Sequence, residues 1–305
     1  MDIIERINKL KNEKNAVILA HNYQPEEIQR IADIIGDSLE LCIAARDTDA
    51  DIIVFCGVDF MAETAKVLNS GKKVLIPEIV ETDCPMAHQL PPEVIIDTKK
   101  KHPNAKVVIY VNTLASAKAL ADATCTSANA DLVVNSFEED EILFGPDNNL
   151  GYFVSRRSDK KIIPMPEGGH CYVHKMFTLD DARAVKENYP NAELLIHPES
   201  NPKLQDIADH VMSTGGMVKH VLNSECNEFI IGTECDMISR LKIDLEKAGK
   251  SKKLIPLRKD ALCTSMKNIT LEKIEKCLLE EKYEIMLDNK IIENARNAIE
   301  RMLSI

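Results

Sequence analysis

The segments IADIIGDS (31–38), LADATCTS (120–127) and IADHVMST (207–214) align over eight positions without a gap. Each carries Ala-Asp, and each has Ser or Thr five residues after the Asp. The segments recur at intervals of 89 and 87 residues. Self-similarity at a nearly fixed period indicates that one structural unit is repeated along the chain. The sequence therefore predicts three related units.

The repeat extends beyond these segments in both directions. Seventeen residues before the hydroxyl residue of each segment, a short apolar run ends in a polar side chain, namely His21, Tyr110 and His197. Each unit also has an Ile-Pro pair, and seven residues after the Pro stands a cysteine, namely Cys84, Cys171 and Cys263. Cysteines at one repeated offset predict equivalent loops in the three units.

Apolar runs alternate with helical patterns throughout the chain. Runs such as AVILA (16–20), DIIVF (51–55) and DLVV (131–134) lack polar alternation, which favours strands covered on both faces. EEIQRIADII (26–35) and TLDDARAVKENY (178–189) have helical patterns. This alternation predicts an α/β fold with parallel sheets, built as three homologous three-layer αβα units. We expect the units to surround a central active site with pseudo-threefold symmetry.

The repeat sets the expected domain boundaries. The first unit is predicted to span residues 1–84, the second 85–171 and the third 172–263. The remaining segment, 264–305, contains two amphipathic helical patterns. We expect it to pack back on the first unit.

Charge and composition exclude several classes of protein. Among 305 residues, 38 Lys and Arg stand against 49 Asp and Glu, giving a net charge of −11 without any Trp. Nucleic-acid binding requires a basic surface and is disfavoured. No apolar stretch approaches the roughly 18 residues of a membrane span, and the N-terminus lacks the apolar region of a signal peptide. We expect a cytoplasmic protein that binds neither nucleic acid nor membrane.

The polar residues that follow the predicted strands indicate a ligand site. Ligands of open parallel sheets bind outside the carboxyl ends of the strands, so three units facing one axis would share a central cavity. Hydroxyl residues would begin helices beside it, where a capped helix N-terminus binds anions; these are Ser38, Ser127, Ser213 and Thr214. A single strand-end His is more often structural, and a hydroxyl before a helix is often only a cap. The threefold recurrence favours a ligand site.

The chain has nine cysteines, an odd number in a protein expected to lie in a reducing compartment. The three at the repeated offset would meet at the axis. They could hold zinc with an open position, or three irons of a 4Fe-4S cluster. An open metal position beside an anion site implies Lewis-acid chemistry. The other six are interpreted as small buried apolar residues: Cys42, Cys56, Cys125, Cys226, Cys235 and Cys277.

Six motifs together resemble the quinolinate synthase family over nearly the whole chain. They are His-Asn-Tyr (21–23), Tyr-Val-Asn (110–112), Gly-Gly-His-Cys-Tyr-Val-His (168–174), His-Pro-Glu (197–199), Ser-Thr-Gly-Gly (213–216) and Cys-Thr-Ser-Met-Lys-Asn (263–268). One departure is local: Thr264 and Ser265 stand where the family usually has Pro-Asn.

The resemblance implies a transferase that condenses iminoaspartate with dihydroxyacetone phosphate. Phosphate and water are released, and quinolinate is formed for de novo NAD biosynthesis. It also implies one 4Fe-4S cluster held by Cys84, Cys171 and Cys263, whose open iron acts as the Lewis acid. A separate enzyme that supplies iminoaspartate is an expected partner.

The resemblance also implies site residues at the matching positions. The proton-transfer groups would be Tyr23, Tyr110 and Glu199. The substrate-binding set would comprise His21, Ser38, Tyr110, Val111, Asn112, Ser127, His197, Pro198, Glu199, Ser213 and Thr214. Two alternatives are a different 4Fe-4S hydro-lyase acting on a small hydroxy acid, and a non-catalytic binding module built from repeats.

Overall fold

The computed structural model describes residues 2–305 and has the same order of elements in each of three units. The first unit contains α1 (Ile3–Glu13), β1 (Ala16–His21), α2 (Glu26–Ile31), β2 (Ile34–Gly36), α3 (Ser38–Asp47), β3 (Ile52–Cys56), α4 (Asp59–Leu68) and β4 (Lys73–Leu75). The second contains α5 (Pro92–Lys101), β5 (Lys106–Tyr110), α6 (Ala115–Lys118), β6 (Ala123–Cys125), α7 (Ala130–Asn135), β7 (Glu141–Gly145), α8 (Asn148–Ser155) and β8 (Lys161–Pro164).

The third unit repeats this order and is followed by two more helices. It contains α9 (Leu179–Asn188), β9 (Glu193–Ile196), α10 (Pro202–Ile207), β10 (His210–Val211), α11 (Thr214–Asn223), β11 (Glu228–Gly232), α12 (Met237–Lys247) and β12 (Lys253–Pro256), after which come α13 (Leu271–Glu280) and α14 (Asn289–Leu303). No helix within residues 2–305 is long and apolar enough to cross a membrane.

Each unit forms one four-stranded parallel sheet, so the predicted α/β class and the three αβα units are confirmed. The strand orders are β2-β1-β3-β4, β6-β5-β7-β8 and β10-β9-β11-β12. The chain reverses its direction across the sheet between the two interior strands. Ligands bind outside the carboxyl ends of strands at such a reversal. The topology therefore predicts a ligand site at the residues that follow β1, β5 and β9.

Burial on both faces explains the unbroken apolar runs. All five residues of β3 are buried. Ile53 and Phe55 join one apolar cluster, whereas Ile52 and Val54 join another on the opposite face. Because successive side chains of a strand point to opposite faces, both faces of the sheet must be covered by apolar residues.

The repeated Asp has the same structural role in all three units. Its carboxylate accepts the backbone N–H of a residue in the first strand, 15 positions earlier. The donor–acceptor pairs are Ile18 to Asp33 at 2.9 Å, Val107 to Asp122 at 2.8 Å, and Leu194 to Asp209 at 2.7 Å. Each bond ties the turn before the second strand to the first strand. This shared bond explains why Asp recurs at one position of the repeat.

Two predicted elements are wrong. The helix expected over 26–35 ends at Ile31, and 34–36 form β2, because Ala32 is extended and Asp33 reaches back to β1. DLVV (131–134), expected to be a strand, lies in α7. There Val133 and Val134 face the core while Leu132 is 55% exposed, so the run is one side of an amphipathic helix.

The C-terminal segment contacts two units rather than the first alone. Helix α13 packs against α1, and residues 283–285 bond to the edge of β4. Helix α14 lies against α4 of the first unit and against α6 and β6 of the second. Its buried face includes Ile299 and Met302, which join the apolar cluster shared by those units. Apolar contacts on both sides hold the last helix between the first and second units.

We predict that Asp122→Ala destabilises the second unit. The substitution leaves the Val107 N–H without its carboxylate acceptor, which should lower the free energy of unfolding by about 1–2 kcal/mol. Urea denaturation followed by circular dichroism measures the change. Asp97→Ala is the matched control, because Asp97 is exposed and pairs only with the exposed Lys100 among its side-chain contacts in residues 2–305. Equal denaturation midpoints for the two variants would contradict this role of Asp122.

Candidate active site

The three units meet around a central cavity. Predicted site residues in its lining are His21, Tyr23, Ser38, Cys84, Tyr110, Asn112, Ser127, Cys171, His197, Glu199, Thr214 and Cys263. They come from the ends of the first strands, from the starts of the following helices and from the cysteine loops. The structure therefore brings most of the predicted residues together.

Three predicted residues lie outside this lining. Val111 is buried in the apolar core, where its N–H donates to the Cys125 carbonyl. Pro198 is buried, and its carbonyl accepts a hydrogen bond from Gln205. Ser213 caps α11 by accepting the Gly216 N–H at 3.1 Å. These residues support the cavity wall instead of facing the cavity.

The expected hydroxyl caps are wrong for two of the three helices. Asp37, not Ser38, caps α3 by accepting the N–H groups of Leu39 and Glu40. Its second oxygen accepts the Gly215 N–H at 3.2 Å in the first turn of α11. Ser127 precedes α7 by three residues and does not occupy its cap position. A carboxylate between two helix N-termini satisfies their exposed N–H groups.

A glycine makes this bridge between helices possible. A Cβ atom at Gly215 would lie 2.5 Å from the Asp37 carboxylate. Any larger residue would displace the Asp37 carboxylate from the Gly215 N–H. The first and third units are also joined beside the cavity by Asn22, whose amide donates to the Thr214 hydroxyl at 2.9 Å.

The three cavity cysteines lie in loops of similar construction. Each is followed closely by a short 3-10 helix, over Ala87–Gln89, His174–Met176 and Thr264–Lys267. Burial raises the pKa of each thiol. The backbone N–H of the residue three positions after each cysteine lowers this pKa in part; these residues are Ala87, His174 and Met266. Charge on Cys263 would further raise the pKa of the Cys84 and Cys171 thiols, so the three sulfurs interact. Buried thiols that share a site become stable thiolates when a cation binds them.

The remaining cysteines lie away from this lining. Cys42, Cys56, Cys125 and Cys277 are buried, while Cys226 and Cys235 are partly buried.

The two residues that depart from the family motif, Thr264 and Ser265, connect the third cysteine loop to neighbouring loops. Thr264 N–H donates to the Tyr172 hydroxyl at 2.8 Å, and the Ser265 hydroxyl donates to the Asp83 carbonyl at 2.8 Å.

A continuous hydrogen-bonded chain crosses the cavity wall. The Tyr23 hydroxyl lies 2.5 Å from Thr233 Oγ1, which lies 2.9 Å from His174 Nε2. His174 Nδ1 lies 2.7 Å from Glu199 Oε2, and the Tyr110 hydroxyl donates to Glu199 Oε1 at 2.7 Å. The chain connects side chains from all three units.

The central carboxylate of this chain is ionised. Burial alone would raise the pKa of Glu199, but the neighbouring His174 imidazole and hydrogen bonds from His174 and Tyr110 hold it well below its usual range. Burial, reinforced by the charge of Glu199, raises the pKa of both Tyr23 and Tyr110. The phenols therefore stay protonated and act as hydrogen-bond donors.

Two histidines of the cavity are neutral. Burial lowers the pKa of His21 and of His197 to about 3. In each, Nδ1 accepts the N–H of the residue two positions later, Tyr23 at 3.2 Å and Glu199 at 3.3 Å. A neutral imidazole that accepts at Nδ1 carries its proton at Nε2. His197 Nε2 accordingly donates to the Ser127 hydroxyl at 3.2 Å.

Sequence reasoning missed two members of the chain of hydrogen bonds. His174 stands in a quoted motif, three residues after Cys171, but no role was assigned to it. Thr233 directly follows β11, an interior strand. The strand order places the end of β11 beside the end of β9, so a search of the residues after both interior strands would have found it.

Comparisons with known proteins agree over the full chain. The family described as "Quinolinate synthetase A protein" matches residues 5–304. A protein of Methanocaldococcus jannaschii named quinolinate synthase is 69% identical over 100% of this chain and 99% of its own length. Its namesake from Methanothermobacter thermautotrophicus is 56% identical over 98% of this chain and 97% of its own length.

A further relative has the same name. The quinolinate synthase of Pyrococcus abyssi is 52% identical, with 99% of each chain covered. These matches confirm the resemblance that the sequence motifs indicate. The chain is therefore an enzyme of the quinolinate synthetase A family, which serves NAD biosynthesis.

Proposed function

We propose that this enzyme condenses iminoaspartate with dihydroxyacetone phosphate as a transferase, releasing phosphate and water and forming quinolinate. The observation that carries the proposal is the pairing of three cysteines, one from each cysteine loop, with a hydrogen-bonded chain of phenol, hydroxyl, imidazole and carboxylate in one cavity. The condensation requires enolisation, dehydration and ring closure, and each of these steps moves a proton. Cytoplasmic location and supply of iminoaspartate by a separate enzyme belong to the same proposal.

Cys84, Cys171 and Cys263 would hold one 4Fe-4S cluster. All three line the cavity, and three ligands leave one iron of the cluster without a protein ligand. When bound, the cluster supplies a Lewis acid for a substrate oxygen or nitrogen. Cys171, His174 and Glu199 also have ligand atoms within 4.8 Å of one another. His174 and Glu199, however, already bond to each other, and the hydrogen-bonded chain passes through both.

Glu199, His174 and Thr233 are arranged to move a proton. Because Glu199 stays ionised, its Oε2 fixes the proton of His174 on Nδ1, which leaves Nε2 to accept the Thr233 hydroxyl proton. Thr233 can then take the proton of Tyr23, whose oxygen would take a proton from the substrate in exchange, so Tyr23 would act as a base. Tyr110, whose hydroxyl donates to the other oxygen of Glu199, would exchange protons between that carboxylate and the substrate.

Neutral donors and one unused acceptor would bind the substrates. The Nε2–H group of His21 would donate to a substrate carboxylate without adding net charge, and His197, whose Nε2–H donates to Ser127, would orient the Ser127 hydroxyl towards the substrate. The buried Oδ1 of Asn112 has no hydrogen-bond partner within residues 2–305, and it would accept a substrate hydroxyl or imine N–H. Ser38, Ser127 and Thr214 add hydroxyls to the same wall and would contact phosphate or carboxylate groups.

We predict about four iron and four sulfide per wild-type chain after anaerobic reconstitution. Cys84→Ala, Cys171→Ala and Cys263→Ala should each lose most of this iron, because each removes one ligand. Cys226→Ala is the control, since Cys226 is only partly buried and lies outside the cavity lining. Iron and sulfide assays measure the difference. Zinc without sulfide, or equal iron in all four variants, would contradict the cluster.

We predict that Glu199→Gln lowers quinolinate formation by about 10²–10⁴-fold, because the neutral amide can accept only one of the hydrogen bonds from His174 and Tyr110 and takes up no proton. Quinolinate and phosphate are measured after mixing both substrates with reconstituted enzyme. Tyr110→Phe should lower quinolinate formation to a similar extent as Glu199→Gln. Tyr152→Phe is the control: it changes an exposed phenol that is hydrogen-bonded to Asp206, and it should retain wild-type turnover. Wild-type enzyme that forms no quinolinate would favour another hydro-lyase or a binding module.

We predict that Thr233→Val, which preserves shape and removes the hydroxyl, lowers kcat by about 10²-fold with iron content unchanged. The loss follows because the link between Tyr23 and His174 is broken. Thr233→Ser retains the hydroxyl and should recover most of the activity. Equal kcat values for the Val and Ser variants would show that Thr233 only packs.

A further inference from the structure

The backbone N–H of each cavity cysteine donates to a carboxylate. Cys84 N–H donates to Asp59 Oδ1 at 3.0 Å, Cys171 N–H to Asp147 Oδ2 at 3.1 Å, and Cys263 N–H to Glu234 Oε1 at 3.1 Å. Three cysteine loops therefore have the same type of acceptor, although the segments that carry it differ in sequence. This threefold recurrence indicates a common requirement of the loops.

The carboxylates also occupy equivalent places in the fold. Asp59 is the first residue of α4, Asp147 caps α8, and Glu234 precedes α12 by three residues. Each follows an interior strand and precedes or begins the next helix. In the third unit a longer Glu side chain replaces Asp. Asp147 and Glu234 have no solvent exposure, so their bonds are not shared with bulk water.

Each carboxylate is itself held by another donor. Asp59 Oδ2 lies 2.8 Å from His88 Nε2, and Asp147 Oδ1 accepts the Leu150 N–H at 2.7 Å. Glu234 Oε1 lies 2.7 Å from Lys267 Nζ, while Oε2 accepts the Asp236 N–H. The side chain thus joins the start of a helix to a cysteine loop, which restricts rotation of the cysteine peptide.

The cysteine loops are consequently fixed from two directions. The N–H of the cysteine donates to the carboxylate, and its carbonyl accepts the N–H of a residue three or four positions later, namely Ala87 at 2.9 Å, Lys175 at 3.0 Å and Met266 at 3.0 Å. Resting on the cluster proposed above, we propose that Asp59, Asp147 and Glu234 are positioning residues that hold the three loops in the conformation that binds the cluster. The role lies in accepting the cysteine N–H, so a neutral oxygen acceptor can replace the carboxylate.

Asp59 provides the clearest test because one of its oxygens, Oδ1, accepts the Cys84 N–H, and Asn retains that oxygen. The reconstituted holoenzyme is mixed anaerobically with an iron chelator, and the rate of iron release is followed by absorbance. Asp59→Ala should release iron at least tenfold faster than wild type, whereas Asp59→Asn should stay within twofold. Asp122→Ala, which removes a carboxylate that accepts a strand N–H instead, is the matched control and should also stay within twofold.

Glu234→Ala and Glu234→Gln repeat the comparison in the third unit, in case Asp59→Ala does not fold. Release from the Ala variants at the wild-type rate would overturn the positioning role. Release from Asp59→Asn as fast as from Asp59→Ala would also overturn it, because charge rather than the acceptor would then matter. If the wild-type protein binds no cluster after reconstitution, the proposed function is wrong, and this outcome is seen before the iron release of any variant is measured.

Discussion

The ends of three interior strands, β1, β5 and β9, meet at one cavity, and the chemistry of the protein depends on that meeting. A parallel sheet places the residues after its strands at one edge, and the reversal of strand order opens a crevice there. Each unit contributes only part of a site. Hydrogen bonds between units, such as Tyr110 to Glu199 and Tyr23 to Thr233, complete it.

Burial determines the charge state of this cavity. The phenols and two of its histidines are neutral, while Glu199 is kept ionised by its donors. Asp37 occupies the N-termini of two helices, so these helices contribute less to anion binding than uncapped ones would. Substrate carboxylates and phosphate would therefore be bound mainly by neutral N–H and O–H donors.

The sequence indicated the repeat because two features of the fold need specific side chains at fixed positions. Asp33 and its equivalents bond the first strand, and the cysteines share one loop geometry. Short strands such as β10, with two residues, need no specific side chain at a fixed position. The α7 segment resembles a strand in sequence because its apolar residues are consecutive. Thr233 and His174 meet only in three dimensions, 59 positions apart, so local pattern could not pair them.

We propose that three cysteines hold a cluster whose remaining iron faces the substrate cavity. Mössbauer spectroscopy of enzyme reconstituted with ⁵⁷Fe, with and without dihydroxyacetone phosphate and iminoaspartate, tests it most directly. About one quarter of the iron signal should shift when substrate is added, because one iron of four lacks a protein ligand. Four irons that stay unchanged with substrate, or a spectrum without any cluster, would contradict it.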